Sequence, residues 1–235
     1  MGRKNETTSL LGGRGARLSK KFDRERALAD AYYEDGGERG VHGHEYDDSA
    51  DEWQHRRRDE GMPVSVRIGV YPGSFNPPTR AHLEIALTAR DSHGLARIDL
   101  AVSAVALGKE TVQSPDVASR LEVIRASIAD IDGLGLIVTR AQLITEIAHG
   151  YDVVVMGADK WTQVNDPVWY GDDEAERDAH LARLPELALA PRPPHEIPDE
   201  HRLPVAEDLL EISSTAAREG RREWMTEAAR ESGLW

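Results

Sequence analysis

Residues 73–82 read Gly73-Ser74-Phe75-Asn76-Pro77-Pro78-Thr79-Arg80-Ala81-His82, directly after the mostly apolar run Val66-Arg67-Ile68-Gly69-Val70-Tyr71. That run predicts a buried strand ending at Pro72-Gly73. Gly73 lets the backbone turn sharply out of the strand and approach a ligand. Pro77 and Pro78 stiffen the loop and hold off any helix until the following residue. Thr79 then reads as the N-cap of a helix over 79–92, in which Leu83, Ala86, Leu87 and Arg90 follow helical spacing. His82 lies three residues further on, on the same face of the first turn. A helix N-terminus offers free N–H groups and the positive end of a dipole, which suits a phosphate. An imidazole there can donate a hydrogen bond to a phosphate oxygen. By itself, a histidine early in a helix reads equally as a plain surface or core residue. The string is neither a P-loop nor a dinucleotide G-x-G-x-x-G fingerprint.

Working outward, the same alternation continues. Ile98–Val105 is a second apolar run, followed by a polar loop and a helix from about Asp116 to Ala129. Leu134–Thr139 and Asp152–Met156 read as strands separated by a short helix over 140–149, and Leu187–Ala190 is another short apolar run. Connections of roughly two to six residues are the style of α/β domains. Strands alternating with helices imply a parallel sheet covered on both faces. Ligands bind such sheets at the carboxyl ends of strands, near a topological switch point. The loops 72–79, 105–115 and 157–161 are therefore expected to lie together. Residues 163–186, acidic and containing Pro167 and Pro185, read as an irregular or short-helical insertion.

Residues 1–62 differ from the rest. The first 21 carry a net charge of +5 and residues 22–62 a net −7, with few apolar side chains. Such a segment buries too little surface to offset its ordering entropy, so a poorly ordered extension is expected, with a helix over 16–33 as its one candidate element. The folded domain is expected to span 63–235. His42, His44 and His55 do not read as a metal site in that flexible acidic setting.

The chain of 235 residues carries 29 Lys and Arg against 42 Asp and Glu, a formal charge of −13. That argues against a protein gripping nucleic-acid backbone and leaves room for a local basic pocket around an anionic small molecule. With no cysteine, disulfides, zinc-thiolate sites and thiol catalysis are excluded. No apolar run reaches the roughly 18 residues of a membrane span, and no signal-peptide core is visible. A cytoplasmic protein without a membrane partner is expected.

A second string, Glu211-Ile212-Ser213-Ser214-Thr215-Ala216-Ala217-Arg218, completes the first. Ser213 or Ser214 can cap a helix whose first turn contains Thr215. Arg218 falls on the same side as Thr215 and Ser214, and its planar fork suits phosphate. An ordinary capped helix with a surface arginine is the plainer reading of this string alone. Together, however, the two strings resemble the cytidylyl/adenylyltransferase superfamily. Its members open with Gly-x-Phe-x-Pro-x-(His/Thr)-x-Gly-His after the first strand and carry Ile-Ser-Ser-Thr-x-x-Arg near the C-terminus. Gly73, Phe75, Pro77, Thr79 and His82 match position by position. Ala81 stands where the family has Gly, which would put one methyl where the backbone approaches the nucleotide.

Within the superfamily the chain looks most like the nicotinamide or nicotinate mononucleotide adenylyltransferases. The stretches Leu107-Gly108-Lys109-Glu110, Arg120-Leu121-Glu122-Val123, Met156-Gly157-Ala158-Asp159 and Arg192-Pro193 carry that likeness, over about residues 66–220. The resemblance implies a Rossmann-like three-layer α/β fold and adenylyl transfer from ATP to a phosphorylated acceptor, with pyrophosphate released, as in NAD biosynthesis. It implies catalytic roles for His82, Thr79 and Arg218. ATP would meet Gly73, Ser74, Phe75, Gly157, Asp159, Ile212, Ser213, Ser214 and Thr215, and the acceptor would meet Lys109 and Arg192. Trp161 and Trp169 flank the region where this branch stacks its pyridine ring, although both also read as packing for the insertion. Mg²⁺ would be bridged by the substrate phosphates, and a homo-oligomer is left open. The pyridine-recognising Thr/Tyr segment of the branch is missing between Val138 and Tyr151. An adenylyl- or cytidylyltransferase for another phosphorylated metabolite, and a nucleotide-binding regulator without turnover, stand as alternatives.

Overall fold

The computed structural model describes residues 66–104 and 114–235. The expectations for residues 1–62 and for Lys109 lie outside the described residues. Five strands form one parallel sheet: β1 (Ile68–Pro72), β2 (Arg97–Ser103), β3 (Leu134–Thr139), β4 (Val153–Gly157) and β5 (Glu186–Ala190). Their order is β3-β2-β1-β4-β5. The helices are α1 (Arg80–Ser92), α2 (Val117–Ile128), α3 (Ile144–Ile147), α4 (Ala158–Val164), α5 (Glu174–Leu181), α6 (Ser214–Arg218) and α7 (Glu227–Ser232).

Strand periodicity sorts the apolar residues into two layers of core. Ile98, Leu100 and Val102 of β2 and Val153 and Val155 of β4 meet Ala86 and Ala89 of α1 and Leu121 and Ile124 of α2. On the other face, Ala101, Val154 and Met156 meet Ile147, Ala158 and Val164. Both faces are buried, so β4 reads as a continuous apolar run with no alternation. Full burial of a side chain such as Ile124 or Leu189 contributes about 1.5–3 kcal/mol. The buried residues of α1 are Ala81, Ala86 and Ala89, small side chains that let the helix lie close to the sheet. The Asp116 carboxylate caps α2 by accepting the Ser119 N–H at 2.9 Å. Helix α2 is buried on two sides, since Val123 packs with Ala217, Met225 and Ala229.

The chain lays down β1, β2 and β3 to one side, then returns to pair β4 with the free edge of β1 through Gly69↔Val153 and Val70↔Val154. The switch point thus lies between β1 and β4, and the loops leaving their carboxyl ends flank a crevice.

The helix expected over 140–149 shrinks to one turn. Thr139 Oγ1 accepts the Ala141 N–H at 3.1 Å and Ser103 Oγ donates to the Ala141 carbonyl at 2.9 Å, which ties down the backbone leaving β3. The Glu146 carboxylate accepts from the Gln142 and Leu143 N–H groups, fixing the helix start at Ile144. The insertion at 163–186 forms a 3₁₀ turn at Pro167–Tyr170 followed by α5. Among the described residues no helix is long and apolar enough to cross a membrane.

Candidate active site

A cleft of about 810 Å³ opens at the carboxyl ends of β1, β4 and β5. That lies in the upper part of the roughly 300–1,000 Å³ range of small-molecule sites. Its first wall is the loop after β1. The Gly73 N–H donates to the Ala101 carbonyl at 2.9 Å, carrying the loop off the sheet. Phe75 follows with φ +41°, in the left-handed region. For a residue with a bulky side chain this costs about 1–3 kcal/mol. Burial of the ring offsets it: Phe75 is 2% exposed and meets Tyr71 edge-on at 5.5 Å and His82 at 5.1 Å. A Cβ at position 73 would stand 2.8 Å from that ring, so glycine is needed there for packing. A left-handed residue within a run of N–H groups is a feature of backbone anion nests, and Ser74, Phe75 and Asn76 all line the cleft.

The carbonyls of this loop are held from behind. Arg120 Nη1 donates to Ser74 O at 3.0 Å, Arg218 Nη1 to Asn76 O, Ser214 Oγ to Pro77 O at 2.8 Å, and the Thr226 N–H to Pro78 O at 3.1 Å. Four anchors from α2, α6 and the segment before α7 therefore fix the loop before any ligand arrives, which is the kind of preorganisation that electrostatic catalysis requires. The two serines divide the work. Ser213 is the N-cap, accepting the Ala216 N–H at 3.1 Å, and the Ser214 hydroxyl serves the loop. Arg218 also donates from Nη2 to Thr215 Oγ1 at 3.3 Å.

His82 sits in the first turn of α1, and its tautomer follows from its partners. Nδ1 accepts the Thr79 backbone N–H at 3.0 Å and lies 2.8 Å from Thr79 Oγ1. An Nδ1 that accepts carries no proton, so the neutral ring holds its hydrogen on Nε2. Burial pushes the imidazole down to about 4, helped by the Arg192 guanidinium and opposed by Asp159. At neutral pH His82 is thus an uncharged donor. Tyr71 beneath it is pushed well above the usual phenol range by burial and then by Asp159.

The opposite wall comes from β4 and β5. Gly157 caps α4, and a Cβ there would stand 2.6 Å from Asp159 Oδ1. Asp159 lies 4.0 Å from Arg192, a loose pair in a half-open position. Lys160 and His195 complete this side, with His195 Nδ1 3.1 Å from Thr162 Oγ1.

Of the residues singled out in the sequence, Gly73, Ser74, Phe75, His82, Gly157, Asp159, Arg192, Ile212, Ser213, Ser214, Thr215 and Arg218 line this one cleft. Three do not. Thr79 is 1% exposed and stands behind His82, where it orients the ring and is out of reach of a ligand. Trp161 packs against the second core cluster. It follows Asp159 by two residues on α4, about 200° around the helix, so it faces the core when Asp159 faces the cleft. Trp169 sits in the 3₁₀ turn beyond α4, off the cleft wall. Loops 72–79 and 157–161 do meet, and Ser114 of the third loop joins them. Asn76, Lys160 and His195 were missed. Asn76 lay inside the matched string, but nothing in the sequence marked the other two as facing inward.

Ala81 does not reach the cleft as expected. It is 3% exposed and packs with Leu209 and Ile212, so its methyl supports the cleft floor from below. Ala81→Gly is expected to lose about 1–2 kcal/mol of stability, from one buried methyl and the poorer helix propensity of glycine. Its nucleotide affinity should stay within about twofold of the parent, because the methyl is buried beneath the cleft and does not face the ligand. Thermal melts and calorimetry check both halves, and a large affinity change would return Ala81 to the cleft.

Among the described residues no group of three or more His, Asp or Glu could hold a metal ion. Among the described residues Asp159 is the carboxylate on the cleft wall.

A family model described as cytidylyltransferase-like matches residues 70–220. The chain is 41% identical over 68 residues to a probable nicotinate-nucleotide adenylyltransferase of Geobacter sp. (strain M21), covering 29% of this chain and 32% of that one. It is 34% identical over 73 residues to the corresponding protein of Gloeobacter violaceus, covering 31% and 35%. It is 32% identical over 83 residues to a phosphopantetheine adenylyltransferase of Mycoplasma capricolum, covering 35% and 56%. The matched stretch thus spans about a third of the length of the first relatives. In fold the chain is similar to Plasmodium falciparum nicotinic acid mononucleotide adenylyltransferase complexed with NaAD, with a TM-score of 0.52 at 14% identity over 71% of this chain and 94% of that one.

Proposed function

The chain belongs to the cytidylyltransferase-like family, and we propose that it transfers the adenylyl group of ATP to nicotinate or nicotinamide mononucleotide. The observation that carries the reading is the convergence of His82, the 73–76 loop and the 212–218 string on one cleft at the sheet's switch point. The similarity of part of the chain to nicotinate-nucleotide adenylyltransferases supports the acceptor.

A phosphate oxygen of the acceptor attacks the α-phosphorus in line, a new P–O–P bond forms, and pyrophosphate leaves with the electron pair of the broken bond. The attacking phosphate is already ionised at neutral pH, so no general base is needed. Catalysis then rests on positioning and on stabilising charge as it develops. His82 Nε2–H donates to a phosphate oxygen of the triphosphate. Arg218, the 73–76 backbone and the backbone N–H groups of 213–215 hold the β- and γ-phosphates. Asp159 and Gly157 meet the adenosine, and Arg192 and Lys109 serve the acceptor side. Mg²⁺ enters with ATP as part of the substrate.

The neutral donor has a pH signature. Because the folded His82 titrates near 4 and an ordinary histidine near 6.5, the native state binds fewer protons than the unfolded chain between those values. Its contribution to stability is complete above about pH 6.5 and is lost as pH falls towards 4, by up to about 3 kcal/mol. Wild type compared with His82→Gln in denaturant melts from pH 4 to 8 should show this difference in slope. The wild-type kcat/KM should show no loss on passing upward through pH 6.5; such a loss would mean that the imidazolium is the working form.

The direct test of the reading is pyrophosphate release with ATP across nicotinate mononucleotide, nicotinamide mononucleotide and phosphopantetheine. Turnover with phosphopantetheine alone would make the chain an adenylyltransferase for another phosphorylated metabolite, the class of its partial relative in Mycoplasma capricolum. Binding of an ATP analogue without turnover on any acceptor would make it a regulator.

A further inference from the structure

The segment 221–235 lies beyond the 70–220 family match, yet it reaches the nucleotide loop. Thr226 caps α7 and donates its backbone N–H to the Pro78 carbonyl at 3.1 Å. Its hydroxyl lies 2.7 Å from Ser127 Oγ on α2. Helix α7 ends at Gly233, whose φ of +65° turns the chain back. Trp235 is thereby laid against the cluster of Val123, Ala217, Met225 and Ala229, and its indole Nε1–H donates to Asn76 Oδ1.

Asn76 is 5% exposed and has two duties. Its side-chain oxygen takes the indole, and its main-chain carbonyl takes the Arg218 guanidinium. An indole N–H can only donate, so it dictates that Asn76 turns Oδ1 towards it. That selects one rotamer of a side chain that would otherwise compete for its own backbone groups. The peptide groups on either side of Asn76 are fixed with it, and so is the resting place of Arg218. Trp235 also packs against the cluster that contains Ala217, the residue before Arg218, so one side chain braces both the loop and the surroundings of the helix that carries the cation.

We propose that Trp235 is a positioning residue of the triphosphate site, acting on Arg218 through Asn76. The proposal rests on the nucleotidyl-transfer reading above. It is tested by a double-mutant cycle of Trp235→Phe and Arg218→Ala, with kcat/KM for ATP and calorimetric binding of a non-hydrolysable ATP analogue as readouts and a thermal melt of each variant. Trp235→Phe keeps an aromatic ring in the cluster and removes the donor. It should lower kcat/KM for ATP about threefold to tenfold, the span expected from one neutral hydrogen bond, and leave KM for the acceptor unchanged. In the Arg218→Ala background the same change should lower it by a clearly smaller factor, because the part routed through Arg218 is already cut. An equal loss in both backgrounds, or none in either, overturns the proposal. If the wild type releases no pyrophosphate with any acceptor, the enzymatic reading fails, and the cycle is decided on analogue binding by the same criterion.

A second measurement uses the unaltered chain. It has five tryptophans, and the ¹H–¹⁵N indole signal lost in Trp235→Phe identifies Trp235. That signal should shift when the ATP analogue binds, and an unmoved signal at saturation overturns the proposal. Should Trp235→Phe fail to fold, replacing the other four tryptophans one at a time assigns the signal by elimination.

Discussion

Replacing His82 by alanine should lower kcat at least about a hundredfold and leave KM for ATP within a few-fold, since one preorganised donor to developing charge contributes roughly 10²–10³. The ring is placed for this by two contacts. Thr79 supplies its N–H to Nδ1, and Phe75 meets the ring edge-on. Nε2–H is left as the ring's donor. Because the site holds His82 as a neutral group, the donor costs no proton uptake at pH 7. The alanine variant also loses the acceptor for the Thr79 N–H, which should cost about 1 kcal/mol of stability. His82→Gln separates the two effects. A glutamine three residues after the N-cap can accept that N–H, as in a capping box, and it lacks the imidazole donor. It should therefore melt close to the parent and turn over as slowly as the alanine variant. Single-turnover kinetics with both variants decides the matter, and near-normal turnover in either removes His82 from the chemistry.

The same residue shows what a sequence can carry. The strand, the turn and the helix start around 73–82 were legible because each depends on local chemistry: a glycine that lets the chain turn out of the strand, two prolines that stop a helix, and a threonine before the first helical turn. The β3 boundaries at Leu134 and Thr139 were legible for a similar reason, as polar residues bound a sharp apolar run. What a side chain faces was less so. Trp161 read either as a ring platform, by the family resemblance, or as packing, and its indole lies against the second core cluster. Ser214 looked like a phosphate ligand, and its hydroxyl is taken by a carbonyl 137 residues earlier in the chain. Asn76 and Trp235 meet across 159 residues, and no local pattern announces such a pair. Local rules fix where elements start and stop, and tertiary contacts decide which of the polar groups remain for a ligand.

The largest stability effect expected away from the cleft has the same origin. Gly135→Ala should lower Tm by on the order of 10 °C, about 3 kcal/mol, although glycine in a strand is usually a weakness that alanine relieves. Gly135 of β3 stands directly across from Asp99 of β2. A Cβ there would fall inside contact distance of the Asp99 carboxylate and the Arg97 guanidinium. Asp99 is 1% exposed, accepts from Arg97 Nε, and accepts from the Tyr151 hydroxyl at 3.0 Å. Arg97 is the partner able to move, because it is the one reaching solvent. The closest overlap is with Asp99 Oδ1, the oxygen that takes Arg97 Nε, so the added methyl forces the carboxylate and the guanidinium apart and breaks their pair.

The sign of the pH dependence tests that account. Burial already raises the Asp99 carboxyl, and Arg97 and then Tyr151 work against the rise. Without Arg97 it rises further, so the folded variant takes up its proton at a higher pH than the folded parent. The destabilisation should be full at neutral pH and shrink as pH falls through the variant's Asp99 titration. Neither Gly135 nor Asp99 lines the cleft, so ATP affinity should hold at temperatures where the variant is folded. Chemical melts at several pH values read the effect. A loss that does not change with pH would place the clash in the backbone and leave the ion pair intact.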